Sequence, residues 1–170
     1  MIMAILEKKG YGQVEPNHLS AQRTGQIYAQ TPAAADIEVL ENGAFLKLDS
    51  ATNTVGITGN GEWMLVYNEV KLYDNARQGY KDFAMKKSET LGGVITPRLF
   101  KTNVGDIFTT NMIEDGLAVG DKVTPTAGDG DKVGILKPVA SEANPDMVFE
   151  VIKLTTMPDG QAGVKVVRIK

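Results

Sequence analysis

Few side chains in this 170-residue chain are of types that carry out covalent or metal chemistry. There is no cysteine, which removes disulfides, thiolate zinc sites, iron–sulfur clusters and cysteine nucleophiles together. The single histidine, His18, excludes nearly every multi-histidine metal site, and no serine/aspartate grouping beside it suggests a triad. Carboxylates are more plentiful. Glu38, Glu41, Glu62, Glu69, Asp106 and Asp121 could supply acid–base pairs for work on sugars, but such a pair is defined by separation in space, so sequence spacing selects none. Gly56-Ile-Thr-Gly59-Asn-Gly61 is glycine-rich like a phosphate loop. It lacks the Lys-Ser/Thr pair and is followed by strand-like residues instead of a helix, so it reads as a hairpin or bulge turn. Asp129 and Asp131 could contribute to a calcium site, yet the twelve-residue loop with its terminal glutamate is missing and an exposed turn is the simpler reading. Trp63 and Tyr67 share one face at period two and could stack a sugar ring; a tryptophan inside Trp-Met-Leu-Val-Tyr more often fills a β core. The residues thus predict no enzyme, no cofactor and no metal.

The bulk properties narrow the class. Hydrophobic residues make up 42% and charged residues 23%, the balance of a globular domain able to bury its own core. Eighteen basic against 21 acidic residues give a net charge of −3, which lacks the surplus needed to hold a phosphate backbone, so no nucleic-acid partner is expected. The opening run Met1-Ile-Met-Ala-Ile-Leu6 stops at Glu7-Lys8-Lys9, too short for a signal-peptide core or a membrane span, and no membrane partner is expected. It reads as a strand or an anchoring tip.

The elements that would position any site are strands and turns. Residues 8–32 are rich in Gly, Gln and Pro with neither period 2 nor period 3.6, and residues 1–34 form an extended N-terminal arm that packs on something else or lies over its own domain. Residues 35–170 form a β-rich domain, a β-barrel or β-sandwich with at most one short helix. Asn42-Gly43 between apolar runs predicts a hairpin over about 36–49. Strands are predicted at 62–70, 97–102, 106–112, 121–125, 133–139, 147–157 and 163–169, the last two joined by a turn at Pro158-Asp159-Gly160. Ala76, Tyr80, Phe83, Ala84 and Lys87 recur at helical spacing, predicting one helix from Asp74 to Lys87. Val104-Gly-Asp-Ile-Phe-Thr109 and Val119-Gly-Asp-Lys-Val-Thr124 repeat a pattern in which glycine permits a sharp turn and aspartate can bond nearby amides, predicting two strand starts.

Three stretches carry a likeness to known proteins: Ala4 to Gln30, Met64 to Asp74, and Arg98 to Asn111. They resemble small head-associated proteins of tailed bacteriophages, described as decoration, auxiliary capsid or head fibre proteins. The resemblance implies a structural, non-enzymatic virion protein that binds the major capsid protein on the capsid exterior and stabilises the shell against the packed genome. It also implies attachment at three-fold or quasi-three-fold points, although the chain is longer than the short decoration proteins of lambdoid phages and its own state, trimer or otherwise, stays open. On this reading Ala4, Ile5, Leu6 and Glu7 are the candidate strand added to a capsid edge. Lys8, Lys9 and Arg23, against Glu7 and Glu15, make the arm slightly basic, and Tyr11 and Tyr28 are further candidate capsid contacts. A tail-tube or head–tail connector subunit is the alternative among structural proteins. A carbohydrate-binding β module using Trp63 and Tyr67 is the alternative from another class.

Overall fold

Phe45-Leu46 and Trp63-Met64-Leu65-Val66 are apolar without interruption, the pattern of strands buried on both faces. The computed structural model describes residues 10–21, 26–68, 84–129, 132–139 and 145–170, and these two runs lie at its centre. β3 (Phe45–Asp49) and β5 (Trp63–Val66) pair antiparallel, with Phe45 opposite Leu65, Leu46 opposite Met64 and Lys47 opposite Trp63. Successive strand residues point to opposite faces. Phe45 and Leu65 therefore join one apolar cluster with Phe108, Phe149 and Val166, while Leu46, Met64 and Val66 join a second with Ile37, Leu40, Val55 and Leu99. β4 (Thr54–Gly56) flanks β3 and β7 (Leu99–Phe100) flanks β5, completing a four-stranded antiparallel sheet.

The sheet that covers the Phe45 face has six strands. Its order is β1 (Val14–His18), β8 (Ile107–Thr110), β14 (Ala162–Arg168), β13 (Phe149–Thr156), β9 (Lys122–Pro125) and β12 (Leu136–Pro138), with every neighbour antiparallel. Three phenylalanines bind the layers: the Phe45 ring lies 5.5 Å from Phe149 and 6.2 Å from Phe108, and those two stand edge to face at 5.4 Å. Such aromatic contacts contribute about 0.5–1.5 kcal/mol each beyond the area they bury. The architecture is mainly β and sandwich-like, and the described residues close no barrel. Two short ladders complete it: β2 (Val39–Glu41) with β6 (Ala84–Lys86), and β10 (Gly128–Asp129) with β11 (Lys132–Val133).

Of the two courses open to the N-terminal segment, residues 10–21 and 26–34 lie over the domain. β1 is an edge strand of the larger sheet, and its Pro16 and the register shift between Pro16 and His18 discourage addition of a further strand there. Residues 28–34 line both edges of the smaller sheet. The Tyr28 amide donates to the Leu99 carbonyl at 2.8 Å, and the Ala34 amide donates to the Val55 carbonyl at 2.8 Å.

Three sequence expectations are corrected. Asn42-Gly43 does turn the chain, but β2 and β3 do not pair; β2 pairs with β6 and β3 with β4 and β5. The reason is that Asn42 is buried, receiving the Asn68 amide at 2.8 Å and donating to the Asn68 carbonyl at 3.2 Å, so the turn is a corner between sheets. The glycine-rich segment 56–61 is likewise no hairpin, because β3 lies between β4 and β5. It crosses the backbone of β3, and a Cβ at Gly59 would stand 2.9 Å from the Leu48 carbonyl. Of the helix expected over 74–87, residues 74–83 lie outside the described residues. Residues 84–86 form β6, drawn into a ladder by Leu40 opposite Met85, and Lys87–Glu89 form a 3-10 turn.

The Val-Gly-Asp repeat forms the two strand starts expected of it. Gly105 and Gly120 take φ of +95° and +94°, the glycine position of a type II turn. The Gly105 amide donates to Arg168 and the Gly120 amide to Val151, each a carbonyl on the neighbouring strand. Asp106 and Asp121 then accept back, through their own carbonyls, from the amides of those same two residues. The turn after β13 also forms as expected, with the Gly160 amide donating to the Met157 carbonyl at 2.8 Å.

Candidate functional site

The first described residues of the arm are fixed by polar contacts to strand ends. The Tyr11 carbonyl accepts from Asn111 Nδ2 at 3.0 Å and from Gln161 Nε2 at 3.2 Å, and the Lys86 amine stands 5.6 Å from the Tyr11 ring. Tyr28 is 55% exposed, and the Lys101 amine lies 3.9 Å from its ring centre. Tyr11 thus sits beside the β13–β14 turn, while Tyr28 sits beside Glu62, whose carboxylate takes Lys101 at 2.7 Å. The two tyrosines are not brought together. Ala4, Ile5, Leu6, Glu7, Lys8, Lys9 and Arg23 lie outside the described residues.

A polar concavity opens where the two sheets part. Lys47, Asn60, Gly61, Glu62, Trp63, Asp146, Met147 and Arg168 line a cleft of about 270 Å³. Its geometry follows from period two: Lys47 and Trp63 share the face of Phe45 and Leu65, but lie at its rim. Being directly opposite across the ladder, they meet, with the Lys47 amine 4.6 Å from the Trp63 ring centre. Trp63 is half-buried against the core, so it serves both as filler and as cleft wall.

Arg168, the last residue of β14, closes the other side. Its Nε donates to the Lys170 carbonyl at 2.8 Å, and Nη1 donates to the Thr102 carbonyl and, at 3.1 Å, to the Thr102 hydroxyl. Burial pulls its pKa below the ordinary arginine value, opposed by the nearby Glu62 and Asp106 carboxylates. The hydrogen bond that the Lys101 amine donates to Glu62 raises the pKa of Lys101.

Tyr67 does not line the cleft; it packs on Phe100 at 6.2 Å between ring centres. His18 ends β1 in an exposed position opposite Ile107. Gly128–Asp129 and Lys132–Val133 form a short ladder around the expected exposed turn, whose residues 130–131 lie outside the described ones. The described residues contain no group of three His, Asp or Glu able to hold a metal ion. Sequence reasoning missed Lys47, Asn60, Asp146 and Arg168 as a set. Only Lys47 carried a signal, as the polar member of Phe45-Leu-Lys-Leu48 on the face of Phe45. No known family, curated protein or solved structure matches the chain.

Proposed function

We propose that the chain is a structural virion protein that decorates and stabilises a tailed-phage capsid by binding the major capsid protein on the outer shell. The observation that supports this reading is that the three stretches resembling phage head proteins are mutual neighbours. Val14–His18 pairs with Ile107–Thr110, Leu65 and Val66 pair with Phe100 and Leu99, and Ala29 bridges Leu99. The likeness therefore falls on one hydrogen-bonded unit that joins both sheets, as a shared fold requires, instead of on scattered phrases.

In this reading the residues before Gly10 supply the docking strand, since β1 itself is committed to the larger sheet. Strand addition gains affinity from backbone hydrogen bonds, and repetition over one particle makes modest affinity at each site sufficient. The test is co-sedimentation with phage heads lacking the protein. The intact chain is expected to bind, and removal of residues 1–9 to weaken binding by roughly tenfold or more. Reversing Lys8, Lys9 and Arg23 to glutamate should do less, and less again at high salt, because exposed pairs contribute about 0–1 kcal/mol. Failure of the intact chain to bind heads overturns the proposal; undiminished binding after truncation removes the arm from it.

A further inference from the structure

We infer that the cleft at Trp63 binds a carboxylated pyranose of the uronic acid class. The inference is independent of the capsid reading, since it concerns the opposite end of the larger sheet from Tyr11. Its first ground is an unanswered charge. The Lys47 amine is held over the Trp63 ring by cross-strand pairing and meets no carboxylate among the described residues. Arg168 faces the same space with its guanidinium already oriented by three hydrogen bonds, so little side-chain entropy remains to be lost on binding an anion. Two cations converging on one concavity select a ligand carboxylate.

The second ground is what else lines the cleft. Asp146 and Asn60 make no side-chain hydrogen bond among the described residues, and with Glu62 they offer acceptors beside the two cations. A polyanion would meet repulsion from Glu62 and Asp146. An acidic peptide side chain would answer the cations but bring only acceptors toward Asp146. A uronate brings hydroxyl donors on the same ring as its carboxylate and so answers both sets. The exposed part of the half-buried Trp63 ring supplies apolar surface for the C–H face of the sugar. The volume, about 270 Å³, falls just under the roughly 300–1,000 Å³ of sites for larger ligands and suits one sugar ring.

Trp63 is the one tryptophan of the chain, so selectively excited tryptophan fluorescence reports on this cleft. The full chain is titrated with methyl glucuronide, methyl glucoside, N-acetylglutamate amide and inorganic phosphate. Methyl glucuronide is expected to give a saturable change with Kd of roughly 1 mM, ordinary for a ligand of about a dozen atoms. Methyl glucoside should bind at least about tenfold more weakly, and Lys47→Met should erase that preference while leaving far-ultraviolet circular dichroism unchanged. Amide shifts in a nitrogen–proton correlation spectrum should concentrate at Asn60, Trp63 and Asp146. No saturable response to methyl glucuronide overturns the inference. So does an equal response to the glucoside, tighter binding of N-acetylglutamate amide or phosphate, or a preference that survives Lys47→Met.

Discussion

The two Val-Gly-Asp turns begin from the same local sequence and differ in what surrounds them. In each, valine sits at the exposed tip, 68% for Val104 and 61% for Val119, and glycine holds a left-handed φ. In each the aspartate side chain accepts the backbone amide three residues back, Asn103 at 2.8 Å and Ala118 at 2.7 Å. Beyond that the turns part. Asp106 is 2% exposed and also takes the Ser20 amide at 3.0 Å and the Ser20 hydroxyl at 2.9 Å, tying the N-terminal segment to the start of β8. Asp121 has no such visitor among the hydrogen bonds of the described residues, and its turn stands beside Val151 near the surface. Identical local chemistry builds identical turns, and the fold then uses one as a clasp and the other as a simple corner.

The comparison can be broken most forcefully at the clasp. Asp106→Ala should destabilise the chain by about 3 kcal/mol, since it leaves three donors without their charged acceptor, whereas Asp121→Ala should cost about 1 kcal/mol. Urea denaturation of the two variants measures the gap, and equal losses would mean that the Ser20 contacts contribute nothing. Next come the glycines. Gly105→Ala and Gly120→Ala should each cost about 1–2 kcal/mol from backbone strain alone, because no atom lies within 4 Å of either added Cβ. Here the two turns should match, and a large difference would show that their backbones are not equivalent.

Ser20→Ala should cost about 1 kcal/mol and clearly less when Asp106 is already alanine, what remains being the bond from Asn103 Nδ2 to the Ser20 hydroxyl; the double-mutant cycle measures the clasp as the difference. The smallest effects belong to the tips: Val104→Ser and Val119→Ser should change the thermal midpoint by less than the equivalent of about 0.5 kcal/mol, given how exposed both valines are. A larger loss at either would place that valine in a contact with the residues outside the described set.

The residues that make up each turn lie within three positions of one another, and this is why they could be read from the sequence. The same holds for the β13–β14 turn at Asp159-Gly160 and for the strand at Trp63, since period and turn chemistry are local properties. Asn42-Gly43 marks the limit. The sequence determined that the chain turns there, but pairing was decided by Asn68, 26 residues away, which buries the turn and sends β2 and β3 to different partners. Ala84 had helical spacing with Lys87, yet Ala84–Lys86 is drawn into a ladder with Val39–Glu41. The cleft was least legible of all. Lys47 and Trp63 meet because a ladder sets them opposite, and Arg168 reaches them only because one sheet packs on the other. Turns and alternation are fixed by neighbours along the chain, whereas partner choice and sites at sheet rims are fixed by which surfaces must be buried together, and only the tertiary structure decides that.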